Sequence, residues 1–141
     1  MTKWHDKVIL VTGASSGIGE YTAIKFAEHG ASLFLVALEE HLLESVKGKC
    51  LMKGLADEKV DFNAGDLTSA AFRQTIVKDL IQKFGKLDVL ADIAGTVAVT
   101  NITDTTEDTY DRLVNLNQKS HFFLAQLCIP FLKETRGMYI C

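Results

Sequence analysis

No apolar run in these 141 residues approaches the roughly 20 residues that a membrane-spanning helix needs. The opening Met1-Thr2-Lys3-Trp4-His5-Asp6 lacks the apolar core of a secretory leader. Cysteine is scarce and odd in number: Cys50, Cys128 and Cys141 lie far apart, without a Cys-x-x-Cys pair. That pattern excludes a disulfide framework and a cysteine zinc site, and suits free thiols in a reducing, cytoplasmic setting. Neither sign of charge dominates. Fifteen basic and 18 acidic residues leave a net charge of −3, and the basic ones are scattered. Nucleic acid and membrane surfaces are therefore not expected partners. His5, His29, His41 and His121 show no metal-ligand spacing, and none adjoins the Ser/Asp pattern of a nucleophilic triad, so no metal site is expected. Internal repeats, low-complexity tracts and linkers are also missing.

What is present is a globular balance, 48% hydrophobic and 23% charged, in one domain's length of chain, residues 1–141. Its most informative stretch is Thr12-Gly13-Ala14-Ser15-Ser16-Gly17-Ile18-Gly19. Before it, Lys7-Val8-Ile9-Leu10-Val11 is short, β-branched and apolar, as a buried parallel strand should be. After it, Gly19, Ala23, Phe26, Ala27 and Gly30 recur at helical spacing. Glycines at such a strand-to-helix turn let the backbone turn sharply and approach a ligand closely. The helix N-terminus then offers free N–H groups and a positive dipole end to an anion such as a pyrophosphate.

Further along, 32–37 reads as a second buried strand, about 39–47 as a charged helix and 48–58 as a connection. Residues 59–63 form a weaker, more polar strand suited to a sheet edge. Asp66-Leu67-Thr68 opens a helix carrying Phe72, Ile76, Leu80 and Phe84, ended by Gly85. A fourth strand at 87–91 and a threonine-rich loop precede a long helix over about 106–133. Thr105 and Asp108 suggest its capping box, and Tyr110, Leu113, Asn117, Leu124, Cys128 and Phe131 its stripe. Met138-Tyr139-Ile140-Cys141 begins a fifth strand. Strict alternation predicts an α/β fold: a Rossmann-like doubly wound parallel sheet, order 3-2-1-4-5, truncated after the fifth strand. Its ligand site lies at the switch point, where the glycine turn meets Asp92-Ile93-Ala94-Gly95.

The spacing T-G-x-x-x-G-x-G resembles the signature of the short-chain dehydrogenase/reductase family. The resemblance runs through the whole chain but covers little more than half of a typical member. It implies an NAD or NADP cofactor, with Gly13, Ser15, Ser16, Gly17, Ile18 and Gly19 cradling the pyrophosphate. By the same resemblance Asp66 and Leu67 meet the adenine, and Ala94 and Gly95 pass close to the cofactor ribose. Leu38 stands where the family selects between the two dinucleotides. It carries neither the aspartate nor the arginine usual there, and the following Glu39 and Glu40 would repel a 2′-phosphate, which leans the choice to NAD. Asn117 resembles the helix asparagine that holds a water in the family's proton relay. Asp92 and Ile93 replace the family's two asparagines. A carboxylate there only accepts hydrogen bonds, so Asp92 is expected to weaken cofactor binding or the central sheet.

The family transfers a hydride between nicotinamide and a carbonyl or alcohol, using a serine and a Tyr-x-x-x-Lys motif. Tyr21 has Lys25 four residues on, but that pair lies in the helix after the glycine turn and not at the motif's position beyond the fifth strand. Tyr110 and Tyr139 have no lysine four residues on, and the serine's position would fall beyond Cys141. Two readings stand. One is the N-terminal, cofactor-binding portion of a short-chain oxidoreductase whose small-molecule carbonyl or alcohol substrate meets only a longer form. The other is a catalytically inactive nucleotide-binding protein or dimerisation partner of full-length relatives, associating through the 106–133 helix.

Overall fold

The computed structural model describes residues 2–141. Five strands, β1 (Val8–Thr12), β2 (Ser32–Ala37), β3 (Val60–Ala64), β4 (Val89–Asp92) and β5 (Met138–Ile140), form one parallel sheet in the order β3-β2-β1-β4-β5. The crossovers are α1 (Gly17–Glu28), α2 (Glu40–Met52), α3 (Ala70–Phe84) and a long helical rod made of α4 (Glu107–Val114), a π-helical turn (Asn115–Ser120) and α5 (His121–Thr135).

Alternation along the buried strands sorts their side chains to the two faces of the sheet. Ile9, Val11, Leu33 and Leu35 pack under α1 and α2, against Ala23, Ala27, Leu43 and Val46. Leu10, Phe34, Val36 and Leu90 face the other way, against Ile76 and Leu80 of α3 and Leu124 and Cys128 of α5. β3 is the polar edge strand, half-buried over most of its length. β5 forms the opposite edge, and its three residues are exposed.

Four local expectations need correction. The second helix does not stop near Lys47: α2 runs through Gly48 to Met52. A lone glycine weakens a helix by only about 1 kcal/mol, and burial of Leu43, Val46 and Cys50 outweighs that. The third helix starts at Ala70, where the Ser69 hydroxyl accepts from the Phe72 amide at 3.3 Å; Asp66 instead closes an Asx turn on the Thr68 amide at 2.8 Å. The long helix is capped by Thr106, whose hydroxyl accepts from the Thr109 amide at 3.2 Å, while Thr105 donates to the Asn101 carbonyl. The expected stripe also fails at its N-terminal half, where Tyr110 and Asn117 are exposed. A π turn is wound more widely than an α turn, so the phase of the stripe changes across residues 115–120.

Candidate functional site

Two loops meet at the carboxyl ends of β1 and β4. Gly13 turns out of β1 with φ +63°, and a Cβ on it would lie 2.8 Å from the Ala94 Cα. The glycine turn and the loop after β4 are thus in backbone contact, which no side chain could allow. A Cβ on Gly19 would overlap the Gly13 carbonyl, so α1 sits directly on the turn that precedes it. The first amides of α1 have no intrahelical acceptor and lie at the positive end of the helix dipole. Ser16, the N-cap residue, makes no side-chain capping bond.

These elements wall a cleft of about 410 Å³. All eleven residues expected to bind a cofactor line it: Gly13, Ser15, Ser16, Gly17, Ile18 and Gly19 below, Leu38 at the tip of β2, Asp66 and Leu67 after β3, and Ala94 and Gly95 after β4. Glu39 and Leu116 join them. Leu67 is held from behind by Arg73, whose buried guanidinium donates to the Leu67 carbonyl at 2.5 Å. The residues present fit an extended anionic ligand, with close-approaching backbone and a helix N-terminus at the centre and apolar walls at both ends.

Asn117 lies outside this cleft, in an adjoining concavity with Thr96, Val97 and His121. Its side-chain amide pairs with the Thr96 backbone in both directions: Nδ2 donates to the carbonyl and Oδ1 accepts from the amide, each at 2.8 Å. The asparagine therefore fastens the loop after β4 to the π-helical turn. Among the described residues no group of three or more His, Cys, Asp or Glu side chains could hold a metal ion.

A second anchor lies beneath the same loop. The Thr12 hydroxyl donates to Asp92 Oδ1 at 2.6 Å and accepts from the Ile93 and Ala94 amides, both at 3.0 Å. Asp92 is buried, and burial raises its carboxyl above the usual range, opposed by the Thr12 hydrogen bond and by His121. Its Oδ2 is enclosed and makes no hydrogen bond among the described residues; His121 Nδ1 is 3.3 Å away. The other ring nitrogen, Nε2, meets the Ala94 carbonyl at 2.6 Å. His121 had no expected role. Its position four residues after Asn117, hence on the same helix face, was the available signal.

The pattern of the short chain dehydrogenase family matches residues 7–140. The chain belongs to the short-chain dehydrogenase family. An uncharacterized oxidoreductase of Thermotoga maritima is 37% identical over 135 residues, 95% of this chain and 51% of that protein. The NADH-dependent reductase A1-R′, solved with NAD, superposes with a TM-score of 0.84 at 30% identity, covering 94% of this chain and 54% of that one. An alcohol dehydrogenase of the archaeon Thermococcus sibiricus, solved with 5-hydroxy-NADP, gives 0.90 at 26% identity, covering 96% and 57%. The chain thus spans about half the length of the curated relative it matches. Its Rossmann-like sheet is that of the short-chain dehydrogenases.

Proposed function

We propose that this chain binds a nicotinamide dinucleotide and forms the cofactor-holding part of a short-chain oxidoreductase. The observation that carries this reading is the Gly13–Ala94 backbone approach, which closes a cleft lined by every residue the family motif assigns to the cofactor. The α1 amides and dipole suit the pyrophosphate. Asp66 and Leu67 suit the adenine, and Ala94 and Gly95 the ribose next to the nicotinamide. When bound, such a cofactor supplies a hydride donor or acceptor. The residues of this chain bind it, orient it and, through Asn117 and Thr96, hold the loop beside it.

NAD is the proposed preference over NADP. Leu38 and Glu39 line the cleft at the tip of β2, and a Glu39 carboxylate repels a 2′-phosphate by about 1 kcal/mol at roughly 4 Å in water-like surroundings. The chemistry itself, carbonyl reduction or alcohol oxidation, is proposed for a protein that adds a serine and a Tyr-x-x-x-Lys motif. Titration with NADH and NADPH, followed by fluorescence, tests the reading. Saturable binding with NADH the tighter ligand supports both proposals, equal binding or tighter NADPH binding refutes the NAD preference, and absent binding of both refutes the cofactor assignment. With either nucleotide and a panel of carbonyl compounds, the 141-residue chain is expected to give no turnover.

The second reading, association through the long helix, is supported by its apolar surface. Phe122 and Ile129 of α5 are exposed beside Tyr139 of β5. Exposed apolar side chains gathered on one face suit a protein partner. Sedimentation of the chain, with a concentration-dependent dimer expected and a monomer at all concentrations contradicting it, tests that reading separately.

A further inference from the structure

The Asp92–His121 contact has an acceptor imbalance. A carbonyl oxygen only accepts, so the 2.6 Å contact to Ala94 requires the proton on His121 Nε2. Nδ1 then faces Asp92 Oδ2 at 3.3 Å, a separation that is favourable only with one proton between them. That proton sits either on the ring, against a carboxylate, or on the carboxyl, against a bare nitrogen. A neutral imidazole has a single N–H and here meets two acceptors. Without the shared proton it can satisfy Ala94 or Asp92, but not both.

We propose that Asp92 and His121 share one proton beneath the cofactor cleft, and that His121 is thereby a positioning residue that tethers the Ala94 carbonyl. This rests on the dinucleotide reading, because Ala94 and Gly95 are the wall beside which the nicotinamide end would lie. Loss of the shared proton leaves a buried carboxylate, the stronger acceptor of the two, and it draws the one remaining N–H away from Ala94. The loop loosens, and a negative charge appears close to an anionic ligand.

The groups facing Asp92 are consistent with this. From β1 comes the Thr12 hydroxyl, from α5 the His121 ring and the Cys128 thiol, and from β5 the Tyr139 phenol. Burial pushes the Cys128 thiol up to about 12 and the Tyr139 phenol well above its ordinary value, with Asp92 adding to both shifts. Neither is a cation that could neutralise the carboxylate. Burial also raises the Asp92 carboxyl, the direction expected for a group that keeps a proton.

The test compares wild type with Asp92→Asn, His121→Gln and His121→Phe from about pH 6 to pH 9. Two readouts are followed: NADH affinity, and the backbone amide signal of Gly95 by NMR without cofactor. In wild type the affinity falls about tenfold as pH rises, the equivalent of about one charge-assisted hydrogen bond. The Gly95 amide shifts over the same range. Asp92→Asn flattens both profiles, because an asparagine N–H can donate to Nδ1 at every pH. His121→Phe binds about tenfold more weakly without a pH step, and His121→Gln, which can still donate to Ala94, recovers part of that loss. Identical profiles in wild type and Asp92→Asn overturn the proposal, as does an unmoved Gly95 amide in wild type. If NADH binds to none of the proteins at any pH, the dinucleotide reading falls, and the Gly95 amide alone decides the proton-sharing tether.

Discussion

Replacing Gly19 by alanine should damage the site while the same change at Gly48 should strengthen the protein. Both glycines lie within helices, so alanine gains up to about 1 kcal/mol of helix propensity at each. At Gly48 nothing lies within 4 Å of the added methyl, and the gain stands alone. At Gly19 the methyl overlaps the Gly13 carbonyl oxygen and lies 2.6 Å from its carbon and 3.1 Å from Ala14 N. Ordinary contact is 3.4–4 Å, so the turn and α1 must separate by about 1 Å. Overpacking of this kind costs about 1–3 kcal/mol, more than propensity returns, because the neighbours are backbone and cannot rotate away. A net loss of about 1–2 kcal/mol lowers the melting temperature by roughly 3–8 °C for a chain of this size. NADH affinity falls further, by about tenfold or more, because the displaced atoms are the ones that frame the anion site. Thermal denaturation and NADH titration of the two variants check this. A Gly19→Ala protein with wild-type melting temperature and affinity would falsify the steric argument.

Asp92→Asn should raise the melting temperature at the alkaline end of a pH series, where the carboxylate has lost the proton it shares with His121, with a gain of about 1–3 kcal/mol for removing a buried unpaired charge. The sign follows from linkage. Because the folded carboxyl is raised from 3.8, its contribution is fully present below that value and is lost as pH rises through the folded value. The stabilisation by Asp92→Asn should therefore grow with pH, and a constant difference across a pH series contradicts the assignment. Asp88 behaves oppositely. Burial pushes its carboxyl up, but the Val8 amide at 2.9 Å and the ammonium groups of Lys86 and Lys7 outweigh burial and hold it below its ordinary value. Its stabilisation is present above 3.8 and lost as pH falls through the lower folded value. Asp88→Ala is expected to cost about 2–4 kcal/mol by leaving the Val8 amide unpaired, read by urea denaturation. Asn117→Ala removes two bonds to an exposed loop and should cost about 1 kcal/mol, with faster hydrogen exchange at the Thr96 amide as its specific readout. Leu38→Arg should reverse the cofactor preference toward NADPH, seen as a crossover in the two titration curves.

The parts of the site that were legible in the sequence are the local ones. Lys7 to Gly19 carries its own strand, turn and helix start within 13 residues, and the family motif assigns Gly13 and Ser15 to Gly19 ligand-facing roles. Alternation of strands and helices was enough to give the sheet order, because right-handed crossovers leave few alternatives. Boundaries that depend on competing local signals are less legible. Gly48 looks like a breaker until the burial of Cys50 two residues later is known. Thr105 and Thr106 are equivalent as caps until the Asn101 loop claims the first. The π turn at 115–120 leaves no mark in periodicity short enough to read, yet it sets which face Asn117 and His121 present to the loop after β4. Asp92 was legible as an anomaly, but its partner was not. His121 is 29 positions away, and only the packing of α5 against β4 brings the two together.

The most direct measurement of the central claim is calorimetric titration of NADH into the wild-type chain and into Gly19→Ala. One site per chain with saturable binding, weakened about tenfold or more by the substitution, is the predicted result. Binding that Gly19→Ala leaves unchanged, or no heat of binding to either protein, would contradict the assignment of the glycine cleft to a dinucleotide.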